Sequence, residues 1–146
     1  HVDLVEQLFS AASSEVKNLE VFYFHNCIYE RVWRGDGARR KGSVETEELL
    51  RTFKSDCRAV FVGDASMSPY EITEPGGSVE HWNEESGEVW MRRLKEVYEK
   101  VIWINPLPEE EWGYTHSIEL TKQLVEGKMF PLSVKGLEQG MAYLSK

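Results

Sequence analysis

The fold of this chain is decided by Arg58-Ala-Val-Phe-Val-Gly-Asp64-Ala-Ser66-Met-Ser68-Pro69, an apolar run that ends in one carboxylate and two hydroxyls. The apolar run predicts a buried strand. Ligands of open α/β sheets bind outside the carboxyl ends of the strands, and hard cations such as Mg²⁺ take oxygen ligands. The stretch therefore predicts a divalent-cation site. The alternative is a turn in which Asp64 and Ser66 cap only their own backbone.

Helical and strand patterns alternate on both sides of this strand. Alternation of this kind is typical of parallel strands joined by crossover helices. We therefore predict a doubly wound, Rossmann-like α/β fold in a single domain that spans residues 1–146. Thr46 is expected at the N-cap of its helix, because Thr is favoured there and acidic residues follow it. The predicted strands are 59–62, 101–105 and 129–132, and the predicted helices are 46–53, 80–100 (the longest), 117–126 and 134–144, with an irregular segment at 66–79.

The first part of the chain predicts a helix followed by an antiparallel hairpin. Residues 21–25 and 28–33 are rich in β-forming residues and flank Asn26, which tolerates the left-handed conformation. This hairpin is expected to place one antiparallel strand near an edge of the mostly parallel sheet, and residues 34–43 are expected to form a loop. The helix would present one apolar face made of Val5, Leu8, Phe9, Ala12 and Val16.

Composition excludes several classes of protein. The chain has 146 residues, 41% of them hydrophobic, and a formal net charge of −8. Such a charge opposes non-specific binding to nucleic acid or to anionic membranes. No segment approaches the roughly 18 apolar residues of a membrane span, so we expect a cytoplasmic protein. Cys27 and Cys57 lack a C-x-x-C spacing and are expected to be reduced thiols.

Four longer strings resemble a known family. They are FVGDASMSPYEI with GGSVEHWN, then WINPLPEEEWGYT, and finally MFPLSVKGLE. Together they resemble the C-terminal part of bacterial CoxE-like proteins that carry a von Willebrand factor A domain. The resemblance covers nearly all of the chain.

The resemblance implies a metal-ion-dependent adhesion site for Mg²⁺ or Mn²⁺ at the top of the sheet. Asp64 matches the Asp of the family's third metal loop, and Thr46 matches the Thr of the second. Ser66 is expected to bind the ion or one of its waters, whereas Ser68 is expected to cap the loop before Pro69.

The chain departs from the family pattern at the first loop. The strand and D-x-S-x-S motif that the family places before the first helix are absent. Asp64, Ser66 and Ser68 cannot replace that loop, because too little chain follows Ser68 for the remaining elements. We therefore expect either the C-terminal portion of a longer chain, or a rearranged sheet, or a strand borrowed from another molecule.

Two classes of function follow. The resemblance implies a non-enzymatic module whose ion is completed by a carboxylate from a protein partner, often a MoxR-type AAA+ ATPase, in complex assembly or metal insertion. The chain has no Walker A string, so ATP hydrolysis would belong to that partner. The alternative is a Mg²⁺-dependent phosphoryl-transfer or hydrolytic enzyme using Asp64, and a scaffold with a vestigial site is a third reading.

The acidic triplet at 109–111 predicts either a partner-binding loop or solvated charge over Trp112.

Overall fold

The computed structural model of the chain describes residues 19–34, 42–78 and 82–146. The predicted first helix, with its apolar face from Val5 to Val16, lies outside the described residues, as does most of the predicted loop at 34–43. The strands are β1 (Arg31–Trp33), β2 (Ser43–Glu45), β3 (Ala59–Val62), β4 (Val101–Asn105) and β5 (Met129–Pro131). The helices are α1 (Thr46–Thr52), α2 (Pro69–Thr73), α3 (Gly87–Val97), α4 (His116–Leu124) and α5 (Val134–Leu144), with a 3₁₀ helix at Glu109–Tyr114.

Strands β3, β4 and β5 form a parallel sheet in that order. Phe61 is aligned with Trp103, and Trp103 with Met129. All five residues of β4 are buried, as a strand between two neighbours and two covered faces requires. The predicted strands 59–62 and 101–105 are confirmed, while β5 ends one residue before the predicted boundary.

Helices cover both faces of this sheet. Side chains alternate along β4, so that Val101 and Trp103 face one way and Ile102 and Ile104 the other. The first face packs on α2, α3, α4 and residues 27–32, and the second packs on α5. The predicted α/β architecture, with a parallel sheet between helices, is therefore confirmed.

The antiparallel strands differ from the prediction. In the described part of the chain, β1 pairs with β2 in a separate two-stranded sheet and does not border the parallel sheet. The expected hairpin is reduced to isolated bridges, Tyr23 with Trp33 and His25 with Cys27. Asn26 does adopt the left-handed conformation, with φ of 60°. Since Tyr23 occupies one side of β1 and β2 the other, β1 has no side left with which to join the larger sheet.

Capping side chains explain two of the differences between the predicted and the observed helices. The predicted helix at 80–100 begins only at Gly87, because the Ser86 hydroxyl accepts a hydrogen bond from the Val89 amide and caps α3 there. Ser68 caps α2 by accepting from the Tyr70 amide, which confirms its predicted role and places a short helix in the segment predicted as irregular. Helix α3 is not the single longest helix of the described ranges, since α5 also has 11 residues. No helix in these ranges combines the length and apolar content needed to cross a membrane.

Two buried tyrosine hydroxyls and one buried cysteine thiol make the stability of the fold sensitive to alkaline pH. Burial raises the pKa of Cys27 from 9.0 to about 12, and nearby Glu71 adds to that shift. Burial likewise raises the pKa of Tyr98 to about 12 and also raises that of Tyr29. Each group stays neutral in the folded state at a pH where the unfolded chain has lost its proton. The stability they contribute is therefore fully present below about pH 9 and is lost as pH rises toward 12.

We expect the free energy of unfolding, measured by urea denaturation, to fall steadily between pH 9 and 11. The near-isosteric variant Cys27→Ala should show a shallower fall, because it removes one of the three groups. An unfolding free energy that stays constant over this interval would contradict the assignment.

Candidate functional site

The candidate site is the loop that leaves the carboxyl end of β3. Gly63 continues the strand pairing, its amide donating to the Ile104 carbonyl at 3.1 Å. Ala65, which is buried, then turns the chain with a left-handed φ of 56°. The turn leaves the side chains of Asp64 and Ser66 exposed on either side of it.

Asp64 and Ser66 are brought together by one hydrogen bond. The Ser66 amide donates to Oδ1 of Asp64 at 2.9 Å. Asp64 therefore caps its own turn, which is the alternative that the sequence predicts beside metal binding. This hydrogen bond occupies one carboxylate oxygen, while Oδ2 of Asp64 and the Ser66 hydroxyl make no hydrogen bond within the described residues.

Two buried side chains hold this loop in place. Asn105, at the carboxyl end of β4, donates through Nδ2 to the Asp64 carbonyl at 2.9 Å and accepts from the Leu107 amide at 2.9 Å. Ser117, in the first turn of α4, donates to the Ala65 carbonyl at 2.7 Å and accepts from the Met67 amide at 3.0 Å. Both side chains are at most 1% exposed. The exposed Asp64 and Ser66 therefore stand on a loop fixed to two neighbouring elements, and such support is what a preorganised site needs.

Thr46 has a different environment. It is the first residue of α1 and not its N-cap, which is Glu45, so the predicted cap is wrong by one residue. Its side chain is fully buried, and its hydroxyl donates to the Tyr29 carbonyl at 2.5 Å. The hydroxyl is used to join α1 to the segment before β1. For Thr46 to bind an ion held by Asp64, this hydroxyl would have to become accessible, and its role as a ligand stays a prediction.

Asp64 and Ser66 fit a hard divalent cation. They supply a carboxylate and a hydroxyl oxygen, both exposed and adjacent, and Mg²⁺ is commonly bound by one or two carboxylates together with several waters. Among the described residues, no group of three or more His, Cys, Asp or Glu side chains could hold a metal. Two of the three predicted ligands, Thr46 and Ser66, are hydroxyls and do not belong to these residue types.

The next loop along the sheet carries charge and an exposed aromatic ring. Glu109, Glu110 and Glu111 are exposed at the start of the 3₁₀ helix. Trp112 is buried beneath them, and its Nε1 donates to the Leu107 carbonyl at 2.9 Å. Exposed glutamates next to a buried Trp are therefore present, as both predicted roles of this loop require, and a partner-binding role stays a prediction. Tyr114 is 90% exposed, a fraction uncommon for so large an aromatic residue.

Sequence reasoning missed Asn105 and Ser117 as supports of the site. Asn105 had a usable signal, since a polar residue ends the apolar run of β4 just as Asp64 follows that of β3. Ser117 had none, because its contacts with Ala65 and Met67 span about 50 residues of chain.

Comparison of the chain with protein-family models, curated proteins and solved structures gives no match. The resemblance to the von Willebrand factor A domain therefore depends on the four sequence strings, and the site depends on its own geometry.

Proposed function

We propose that this protein is a non-enzymatic, metal-dependent protein-interaction module of the von Willebrand factor A type. Asp64 and Ser66 hold Mg²⁺ or Mn²⁺ at the carboxyl end of β3, with Thr46 as the further ligand that the resemblance implies. The partner is a protein, in the first instance a MoxR-type AAA+ ATPase, and the pair acts in complex assembly or metal insertion. A cytoplasmic location, predicted from the sequence, is part of the proposal.

One observation carries this proposal most directly: an exposed carboxylate and hydroxyl stand on a buttressed loop at the carboxyl end of a parallel strand. A bound cation would offer an open coordination position to a carboxylate of the partner. Asn105 and Ser117 fix the loop, so little conformational entropy is lost when the partner binds.

The exposure of this site also favours a protein partner over a small substrate. Asp64 and Ser66 are both exposed, and Tyr70 and Tyr114, on the elements that follow β3 and β4, are 66% and 90% exposed. Exposed aromatic residues are typical anchors of protein interfaces. The 3₁₀ helix leads directly into α4, whose Ser117 binds the Asp64 loop, so Tyr114 belongs to the same end of the sheet.

The test compares Asp64→Ala with Asp56→Ala in two measurements. Asp56 is an exposed carboxylate in the turn that precedes β3, so the control removes the same charge on the other side of that strand. In thermal melts, millimolar Mg²⁺ should stabilise the wild type and Asp56→Ala, by about 2.7 kcal/mol at one hundred times the dissociation constant. Asp64→Ala should show almost no stabilisation.

Capture of a purified MoxR-type ATPase supplies the second measurement. The wild type and Asp56→Ala should retain the ATPase in Mg²⁺ and release it in EDTA, whereas Asp64→Ala should fail to retain it. Capture that survives both EDTA and Asp64→Ala would overturn the proposal. Mg²⁺-dependent hydrolysis of a phosphate ester by the wild type, lost in Asp64→Ala, would favour the enzyme alternative.

A further inference from the structure

A cationic residue stands immediately before each strand of the parallel sheet. Arg58 precedes β3, Lys100 precedes β4 and Lys128 precedes β5. Because parallel strands begin at the same edge of a sheet, the three cations lie along the edge opposite the Asp64 loop. We call Arg58, Lys100, Lys128 and Tyr143 the amino-edge cluster.

Tyr143, in the last turn of α5, brings the two lysines together. The ammonium nitrogen of Lys100 is 4.5 Å from the centroid of its ring, and that of Lys128 is 4.8 Å from the same centroid. Both distances are within the range of attractive cation–π interactions. The lysine side chains are half-buried. One ring therefore fixes two positive charges that would otherwise repel each other.

Arg58 is fixed by backbone carbonyls. Its Nε donates to the Leu144 carbonyl at 3.0 Å and its Nη1 donates to the Asp56 carbonyl at 3.0 Å. The first bond caps the C-terminus of α5, a sufficient structural reason for one cation at this place. It gives no reason for the two lysines, which make no such bond within the described residues.

The three cations of the amino-edge cluster have no acidic partners within the described residues, although the chain is rich in acidic residues. The chain has 25 acidic and 17 basic residues. Some cations elsewhere are paired with carboxylates, as Arg93 is with Glu85 and Lys95 with Glu126, while other, scattered cations are not. Within the described residues, no ion pair involves Arg58, Lys100 or Lys128. The cluster therefore gathers three cations without ion-pair partners at one edge of an acidic protein.

We propose that the amino-edge cluster binds an oxyanion, the phosphate or carboxylate group of a ligand. Each lysine ammonium offers three donors and the Arg58 guanidinium a planar fork, and charge-assisted hydrogen bonds to an oxyanion are the strong class of such bonds. The site is independent of the Asp64 loop, so it would give the protein a second point of attachment at the other edge of the sheet.

The test is a titration of the ¹⁵N-labelled protein followed by amide chemical shifts, with inorganic phosphate and a hexaglutamate peptide as separate probes. Sodium chloride at matched ionic strength corrects for screening. We expect saturable shifts at residues 58, 100, 128 and 143. Saturation by phosphate indicates a phosphate-bearing small ligand, and saturation by the peptide alone indicates an acidic protein segment.

Single lysine substitutions test whether the charges of the cluster bind the oxyanion. Lys100→Gln and Lys128→Gln should each weaken binding by about tenfold, the loss expected for one charge-assisted hydrogen bond, while Lys100→Arg should retain most of the affinity. Lys135→Gln is the matched control, since Lys135 is exposed in the first turn of α5 and so at the other end of that helix. Shifts no larger than those in sodium chloride for both probes, or equal weakening by Lys135→Gln, would overturn the proposal.

Discussion

Replacing Gly136 by alanine is expected to lower the free energy of unfolding by about 3 kcal/mol, the upper range for overpacking a well-filled site. A Cβ at this position would lie 2.0 Å from the Pro131 carbonyl oxygen and 2.9 Å from its carbon. Both are backbone atoms of β5, so relief requires α5 to move away from the sheet. The loss outweighs the gain of about 1 kcal/mol that alanine brings over glycine within a helix.

Gly140 provides the control on the same helix. A Cβ there would lie 2.9 Å from Cδ1 of Ile102, the far end of a flexible side chain that can rotate aside. We expect Gly140→Ala to change the free energy of unfolding by less than about 1 kcal/mol, because helix propensity offsets the repacking. Urea denaturation of both variants measures the difference. Equal destabilisation by the two substitutions would contradict the packing of α5 on β5.

Replacing Asn105 by alanine is expected to destabilise the protein by about 2 kcal/mol, because two part-buried backbone groups lose their partners at about 1 kcal/mol each, the lower end of the range for an unsatisfied group. The Asp64 carbonyl and the Leu107 amide are bound only through this fully buried side chain in the described structure. Their loss should loosen both loops at the carboxyl edge. If the proposed function holds, Mg²⁺ affinity should fall as well.

Asn83 is the matched control because it is also fully buried and also binds backbone groups. Its Oδ1 accepts from the Ser78 amide and its Nδ2 donates to the Glu85 carbonyl, each at 2.9 Å, in the crossover before α3. Asn83→Ala should cost similar stability while leaving the carboxyl edge intact. Amide hydrogen exchange distinguishes the two variants. Asn105→Ala should speed exchange of the Leu107 amide, whereas Asn83→Ala should speed exchange of the Ser78 amide. Unchanged protection of Leu107 in Asn105→Ala would contradict the assigned role.

The parallel sheet could be predicted from local pattern because its strands are strongly apolar. Residues 59–62 and 101–105 were placed correctly, since apolar runs of that length have few alternatives to burial. Helix α5 was placed correctly at both ends for a similar reason. Helix α3 was not, because apolar spacing continues before Ser86 and only the cap at Ser86 sets the true start.

The pairing of the first strands could not be read from local pattern. Residues 21–33 have the composition of a hairpin, but composition does not say which side of a strand a distant segment will occupy. The pairing of β1 with β2 brings together residues separated by the predicted loop at 34–43. That choice depends on tertiary packing.

Sequence alone determined the chemistry available at the candidate site, because the order of residues fixes which side chains leave an apolar strand at its end. It identified Asp64 and Ser66 as oxygen ligands at that end of the strand for this reason. Only the tertiary structure decided what surrounds them, because Asn105 and Ser117 reach the loop from 41 and 52 residues along the chain. It also decided that Thr46 is buried against Tyr29 and that two lysines share one tyrosine ring, since such contacts depend on how elements pack and not on what each segment contains.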